Sequence, residues 1–207
     1  MYVLTQTAEA LDYEAAGGEG EDEQLVARIC AGERALFAKL YGLYYPRAFA
    51  LAFGMTGRRE QADDLTQEIF MRAYERLASY NGRASFSTWF YRLAVNQSLN
   101  YCRRERRHKG SVSDSGDVEG LASAASGGAG ERMEAALLRQ QVQLQVRQAL
   151  LTLKPEMRVL IVMKEIEGLS YEEISERLDC SMGTVASGLS RARRLLARKL
   201  ENLKGKI

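Results

Sequence analysis

The side chains best equipped for chemistry in this chain are cations at helical spacing, and the chemistry open to them is phosphate binding rather than bond breaking. Arg191, Arg193, Arg194, Arg198 and Lys199 crowd the end of a segment in which Val185, Leu189, Ala192 and Leu196 recur with the period of a helix. Ahead of it Ser170 can cap a shorter helix, Glu173 three residues on completes a capping box, and Ile174 and Leu178 supply an apolar face. Asp179-Cys180 interrupts the pattern and Ser181 can cap again. Gly168 to Arg194 therefore reads as two helices joined by a turn of about three residues. The first helix is acidic through Glu172, Glu173 and Glu176, so only the second suits a polyanion. In such a motif Met182 to Ser190 would enter the major groove of DNA, with the following arginines beside the backbone.

Two further clusters could bind rather than catalyse. Ser79 to Arg92 holds five aromatic residues, a glycine and two arginines in fourteen positions. Aromatic faces can stack unpaired bases while Arg and Asn hold the strand, although Trp89 and Phe90 also suit a core, which leaves the loop role to Tyr80 to Phe86. Asp64, Gln67 and Glu68 lie at i, i+3 and i+4 beside Leu65, Ile69 and Phe70, a polar stripe next to an apolar one that could dock a basic partner helix.

Enzyme chemistry is poorly served. There is one histidine, His108, with no phosphate-loop glycine pattern and no matched nucleophile and base, so no cofactor and no small-molecule substrate are expected. Cys30, Cys102 and Cys180 are separated singletons, read as reduced, partly buried thiols, and Cys102 with His108 is too few ligands for a zinc site. The apolar runs are far shorter than the roughly 18 residues of a membrane span. With no basic start and apolar core at the N-terminus, the cytoplasm is the expected compartment.

The elements that must position these clusters are helices. The 207 residues are 46% hydrophobic and 27% charged, with two prolines, and the apolar spacing predicts an all-α chain of two small helical domains joined by a flexible linker. A net charge of +2 hides an uneven distribution: residues 1–27 carry seven acids and no Lys or Arg, whereas Arg103 to Lys109 carries five bases. Residues 1–21 read as an acidic, disordered extension, 22–108 as the first domain, 109–130 as a Gly/Ser/Ala linker, 131–203 as the second domain and 204–207 as a basic tail. Four helices are expected in the first domain: Glu23 to Ala31, Arg34 to Phe53 bent or broken at Pro46, Arg59 to Leu77, and one from Ser85 or Ser87 into Arg107. In the second, a helix ends before Lys154-Pro155, another buries Val159, Leu160 and Met163, and the helix-turn-helix follows.

The order of Asp64-Leu65-Thr66-Gln67-Glu68, Thr88-Trp89-Phe90-Tyr91-Arg92-Leu93-Ala94-Val95-Asn96 and Gly168-Leu169-Ser170-Tyr171-Glu172-Glu173-Ile174 resembles the extracytoplasmic-function group of bacterial sigma factors over about residues 22–203. The resemblance implies an RNA polymerase subunit that binds the core enzyme and promoter DNA, is held by an anti-sigma factor, and neither enters a membrane nor hydrolyses a nucleotide. Carried over by position, it implies core binding by Asp64, Gln67, Glu68, Phe70 and Arg72. It implies minus-ten recognition by Tyr80, Asn81, Gly82, Arg83, Phe86, Trp89, Arg92, Asn96, Asn100, Arg103 and Arg104, and minus-35 recognition by Thr184, Ser187, Arg191 and Arg194. The alternative is a stand-alone helix-turn-helix regulator, which the N-terminal domain disfavours. Ala186 and Gly188 stand where such proteins commonly carry Lys or Arg, and weak upstream binding, improved by Ala186→Lys with Gly188→Arg, is the expectation. Arg83 replaces an acid often found in the melting loop.

Overall fold

The computed structural model describes residues 20–109 and 131–204, with side chains for 20–108 and 139–201, and these residues hold helices and turns but no strand. The expected disordered extension and the 109–130 linker fall almost wholly outside the described residues. The first domain comprises α1 (Glu21–Cys30), α2 (Phe37–Thr56), α3 (Arg59–Arg76) and α4 (Phe86–Lys109). The second comprises α5 (Glu131–Leu151), α6 (Pro155–Ile161), α7 (Tyr171–Leu178) and α8 (Met182–Lys204), with a π-helical turn, Val162–Ile166, continuing α6.

The first core is built on α2, α3 and α4. Leu40, Tyr44, Leu51 and Met55 of α2 meet Leu65, Ile69 and Ala73 of α3 and Phe86, Phe90 and Ala94 of α4, all buried. Each set recurs at helical spacing, which is why the three helices form and why they pack. Of the two outcomes expected at Pro46 the break does not occur; the helix runs through it to Thr56. The carbonyl that Pro46 leaves without its partner belongs to Gly42, which is exposed, so water can satisfy it. The helix also runs past the expected end at Phe53, with Gly54 inside it, and Gly57 closes it in the left-handed conformation, φ 74°.

Two residues of the acidic N-terminal run are structural. Asp22 is buried and accepts a hydrogen bond from the Tyr44 hydroxyl. Burial pushes its carboxyl above the ordinary range, against the lowering effect of that bond. Glu23 accepts from the Gly20 backbone N–H at 3.1 Å, which caps α1, and its other oxygen reaches the loop before α4.

In the second domain the sequence signals are met closely. Ser170 Oγ accepts from Glu173 N at 3.1 Å while the Glu173 carboxylate accepts from Ser170 N at 2.7 Å, so the capping box is formed. Pro155 opens α6, Gly168 turns the chain at φ 72°, and Ser181 Oγ caps α8 through Thr184 N at 3.2 Å. Ile174, Val185, Leu189 and Ala192 close against Val159, Leu160 and Met163, and these residues are continuous with the buried cluster of the first domain.

The two domains touch directly. A Cβ at Gly54 would stand 2.7 Å from Val162 Cγ2, and one at Gly57 would stand 2.5 Å from Leu151 Cδ1, so two glycines of α2 and its cap let the second domain approach. Arg158 seals the junction. Buried at 6% exposure, its guanidinium donates to Met55 O at the end of α2 and to Leu150 O (3.2 Å), Leu151 O (2.5 Å) and Leu153 O (3.2 Å) at the end of α5. These are the carbonyls that helix ends leave without partners, and a cation is what the negative ends of two helix dipoles favour.

Candidate nucleic-acid interface

Three surfaces carry the chemistry. On α3, Asp64 and Gln67 are exposed and Glu68 and Arg72 half-buried, in a stripe that continues into exposed Met71 and Tyr74. Phe70 is buried beneath them, its ring 4.3 Å from that of Tyr41, so it shapes the stripe from below.

The second surface runs from the 80–86 loop along α4. The loop tip, Asn81-Gly82-Arg83, is exposed and pre-shaped: Asn81 Oδ1 accepts from Arg83 N at 3.2 Å, Gly82 sits at φ 70°, and the Tyr80 hydroxyl donates to Ala84 O at 2.8 Å. Glu23 Oε1 ties the loop base to α1, accepting from Phe86 N at 3.1 Å and the Tyr80 hydroxyl at 3.3 Å. The Phe86 backbone bond, foremost among these, holds the Glu23 carboxyl below its ordinary value. Beyond the loop, Arg92, Asn96, Asn100 and Arg103 follow one another at i, i+4, i+8 and i+11, a polar row along one face of α4. Arg104 pairs with Glu68 at 2.8 Å, so the polar row and the α3 stripe meet at that ion pair.

The third surface is the start and exposed face of α8. Thr184, Ser187, Arg191 and Arg194 are exposed on it, while Val185, Gly188, Leu189 and Ala192 face inward. A shallow, basic, well-capped helix face is what insertion into a DNA groove requires.

The chain matches the sigma-70 region 2 family model over residues 40–108 and the sigma-70 region 4 model over residues 143–196. It is 33% identical over 184 residues to the RNA polymerase sigma-H factor of Pseudomonas aeruginosa, covering 88% of this chain and 95% of that one. It is 33% identical over 186 residues to the ECF RNA polymerase sigma-E factor of Escherichia coli K12, covering 88% and 95%. The chain belongs to the extracytoplasmic-function sigma factors. Solved structures with the same fold include the sigma factor RpoE from Bartonella quintana in complex with the anti-sigma factor NepR (TM-score 0.58, 22% identity, 80% of this chain and 96% of that one). CnrH in complex with the cytosolic domain of CnrY is similar (TM-score 0.57, 22% identity, 87% and 97%).

In this sigma factor the residues singled out from sequence do not all stand in the open. Phe86, expected in the melting loop, is a core residue at 1% exposure, its ring against Tyr44, Tyr80, Trp89 and Phe90. Trp89 is half-buried against Tyr80 and Phe86. Gly188 faces α6, where a Cβ would meet Leu160 Cδ1 at 2.6 Å, so an arginine there must first displace Leu160, whereas Ala186 is exposed.

Sequence reasoning also missed neighbours of these surfaces. Met71, at 66% exposure, and Tyr74 lie at i+7 and i+10 from Asp64 on the same stripe; that spacing is the signal that could have found them. Glu23 as a loop anchor left no such signal, because its partners lie more than fifty residues away.

Proposed function

We propose that this sigma factor docks on core RNA polymerase through the α3 stripe of Asp64, Gln67, Glu68, Met71, Arg72 and Tyr74, shaped from below by Phe70, and opens promoter DNA with the adjoining loop and α4. The observation that carries the reading is adjacency: the exposed stripe of α3 and the polar row of α4 meet at the Glu68–Arg104 pair. A strand opened at the minus-ten element would therefore lie beside the enzyme that needs it. Asn81, Gly82 and Arg83 form the tip that meets an extruded base, Tyr80 and Trp89 supply ring faces, and Phe86 holds those rings in place from the core. Arg92, Asn96, Asn100, Arg103 and Arg104 hold the strand, and Thr184, Ser187, Arg191 and Arg194 read the minus-35 element from α8.

Nothing in this scheme requires a covalent step; the protein acts as an initiation factor, in the cytoplasm, and an anti-sigma factor holds it in reserve, a reading supported by the similar sigma factor RpoE, which stands in complex with the anti-sigma factor NepR. The segments expected to act as separate units are 22–108 and 131–203. In vitro transcription from a genomic promoter library with purified core polymerase tests the reading: transcripts that depend on the added chain support it, and strong operator binding with no effect on core polymerase sinks it in favour of a stand-alone regulator.

A further inference from the structure

The outer face of α8 carries little that can hydrogen-bond a base edge. Between the Ser181 cap and Arg191 its exposed residues are Met182, Gly183, Thr184, Ala186, Ser187 and Ser190, with no side-chain amide, carboxylate, guanidinium or ammonium among them. The paired contacts that recognise guanine or adenine need an Arg, Lys, Asn or Gln. Two of the three hydroxyls are turned to the helix itself: Thr184 Oγ1 lies 2.9 Å from Ser181 Oγ, and Ser187 Oγ donates to Thr184 O at 3.1 Å. Arg191, the first cation, turns its Nε back to Ser187 O at 3.3 Å. What the face does present is apolar. Met182, the first residue of α8, is 50% exposed, and Ala186 stands exposed one turn along the same side. Gly183 beside them is not demanded by packing, since an added Cβ would meet only Ser181 Oγ, at an ordinary 3.8 Å. A glycine that the interior does not need, on the outside of a helix, lets the backbone come closer to a ligand than any other residue would.

We propose that α8 recognises the upstream promoter element by the 5-methyl groups of thymine, with Met182 as the residue that reads them, Ala186 beside it and Gly183 giving the close approach. Of the four bases only thymine projects a methyl into the major groove, and apolar side chains meet it there. Removing one such methyl from a contact changes affinity about fourfold. Arg191 and Arg194 hold the backbone, which adds affinity but no sequence information. The element is therefore one that carries thymine on the strand facing Met182, told from its rivals by methyl groups rather than by paired hydrogen bonds to guanine. The inference deepens the assignment of α8 to the minus-35 element and rests on it.

The test selects a randomised duplex library with the full chain, alone and bound to core polymerase, and then replaces each thymine of the recovered element by uracil, which lacks only the methyl. Binding by the parent chain is expected to fall about fourfold at one thymine or at two adjacent ones. In Met182→Ala the same uracil is expected to cost nothing, and Met182→Leu is expected to restore most of the penalty. Because Met182 is half exposed, both variants are expected to melt with the parent, which separates a lost contact from a lost fold. An element whose thymines can all become uracil without loss overturns methyl readout. A uracil penalty undiminished in Met182→Ala overturns the assignment to Met182, and recovery of no element in either arm overturns the inference together with the sigma-factor reading. Methyl-dependent binding by a chain that neither joins core polymerase nor yields transcripts with it keeps the inference and sinks the sigma-factor reading. Core-dependent transcription with binding indifferent to the methyls does the reverse.

Discussion

Tyr91 of α4 donates its hydroxyl to Glu167 Oε2 at 2.5 Å, joining the first domain to the residue that follows the π turn of the second. Glu167 is half-buried as a residue, yet its Oε1 is fully enclosed with no hydrogen-bond partner. That imbalance between the two oxygens makes the pair sensitive to protons.

Burial pushes the Glu167 carboxyl from 4.5 up to about 7, against the lowering effects of the Tyr91 bond and of Arg177 and Arg47. Burial and the Glu167 charge raise Tyr91 in turn, so it stays protonated. Because the folded chain holds the proton more tightly than the unfolded one, the stability it contributes is fully present below the ordinary carboxyl value and is lost as pH rises through about 7. Thermal denaturation between about pH 5 and pH 8 is expected to show this part of the melting temperature falling with pH, and Glu167→Gln is expected to abolish that dependence. A contribution that grows with rising pH contradicts the assignment.

Arg158→Met removes the guanidinium that Met55 O and Leu151 O accept from at the ends of α2 and α5. The loss is expected at about 3 kcal/mol, or a fall of roughly 8 °C in melting temperature. Arg158→Lys rescues it incompletely, since a single ammonium lacks the planar fork that spans four acceptors. Thermal denaturation by circular dichroism measures both; a melting temperature unchanged in Arg158→Met removes the capping role.

Gly188→Arg forces its stem into Leu160 and is expected to cost about 1–3 kcal/mol. Leu160→Ala in the same chain recovers part of that cost. Ala186→Lys, on the exposed face, is expected to leave stability within about 0.5 kcal/mol and to steepen the salt dependence of duplex binding by about one counterion. Denaturant titration and fluorescence anisotropy over a salt series give the two readings.

Met71→Glu places a charge where an apolar side chain stands two-thirds exposed, so folding is expected to change by less than about 0.5 kcal/mol. Affinity for core polymerase is expected to fall by about tenfold or more, as for loss of an apolar anchor from an interface centre. Titration of labelled chain with core polymerase reads it directly, and undiminished affinity removes Met71 from the docking stripe.

The helix-turn-helix was legible because its signals are local: Ser170, Glu173, Gly168 and Ser181 act on neighbours within a few residues, and the apolar spacing of Ile174, Val185 and Leu189 names their inner faces. Pro46 misled because the penalty for an interior proline depends on what happens to Gly42, which sequence alone does not expose. Gly188 misled for a related reason. Its position was read by comparison with a DNA-facing pattern, whereas its register beside Val185 and Ala192 already put it on the inward stripe. The bonds of Arg158 to Met55, Glu23 to Phe86 and Tyr91 to Glu167 carried no local sign, since each joins residues more than fifty positions apart.

Arg158 gives two helices from different halves of the polypeptide a common terminus. Cutting the chain between those halves would strip α2 of a charge that its own sequence does not encode, so a fragment is a poorer version of its half than the intact molecule contains. Calorimetry of the whole chain should accordingly record one heat-absorption peak, and dissection into pieces should lower the melting point of each.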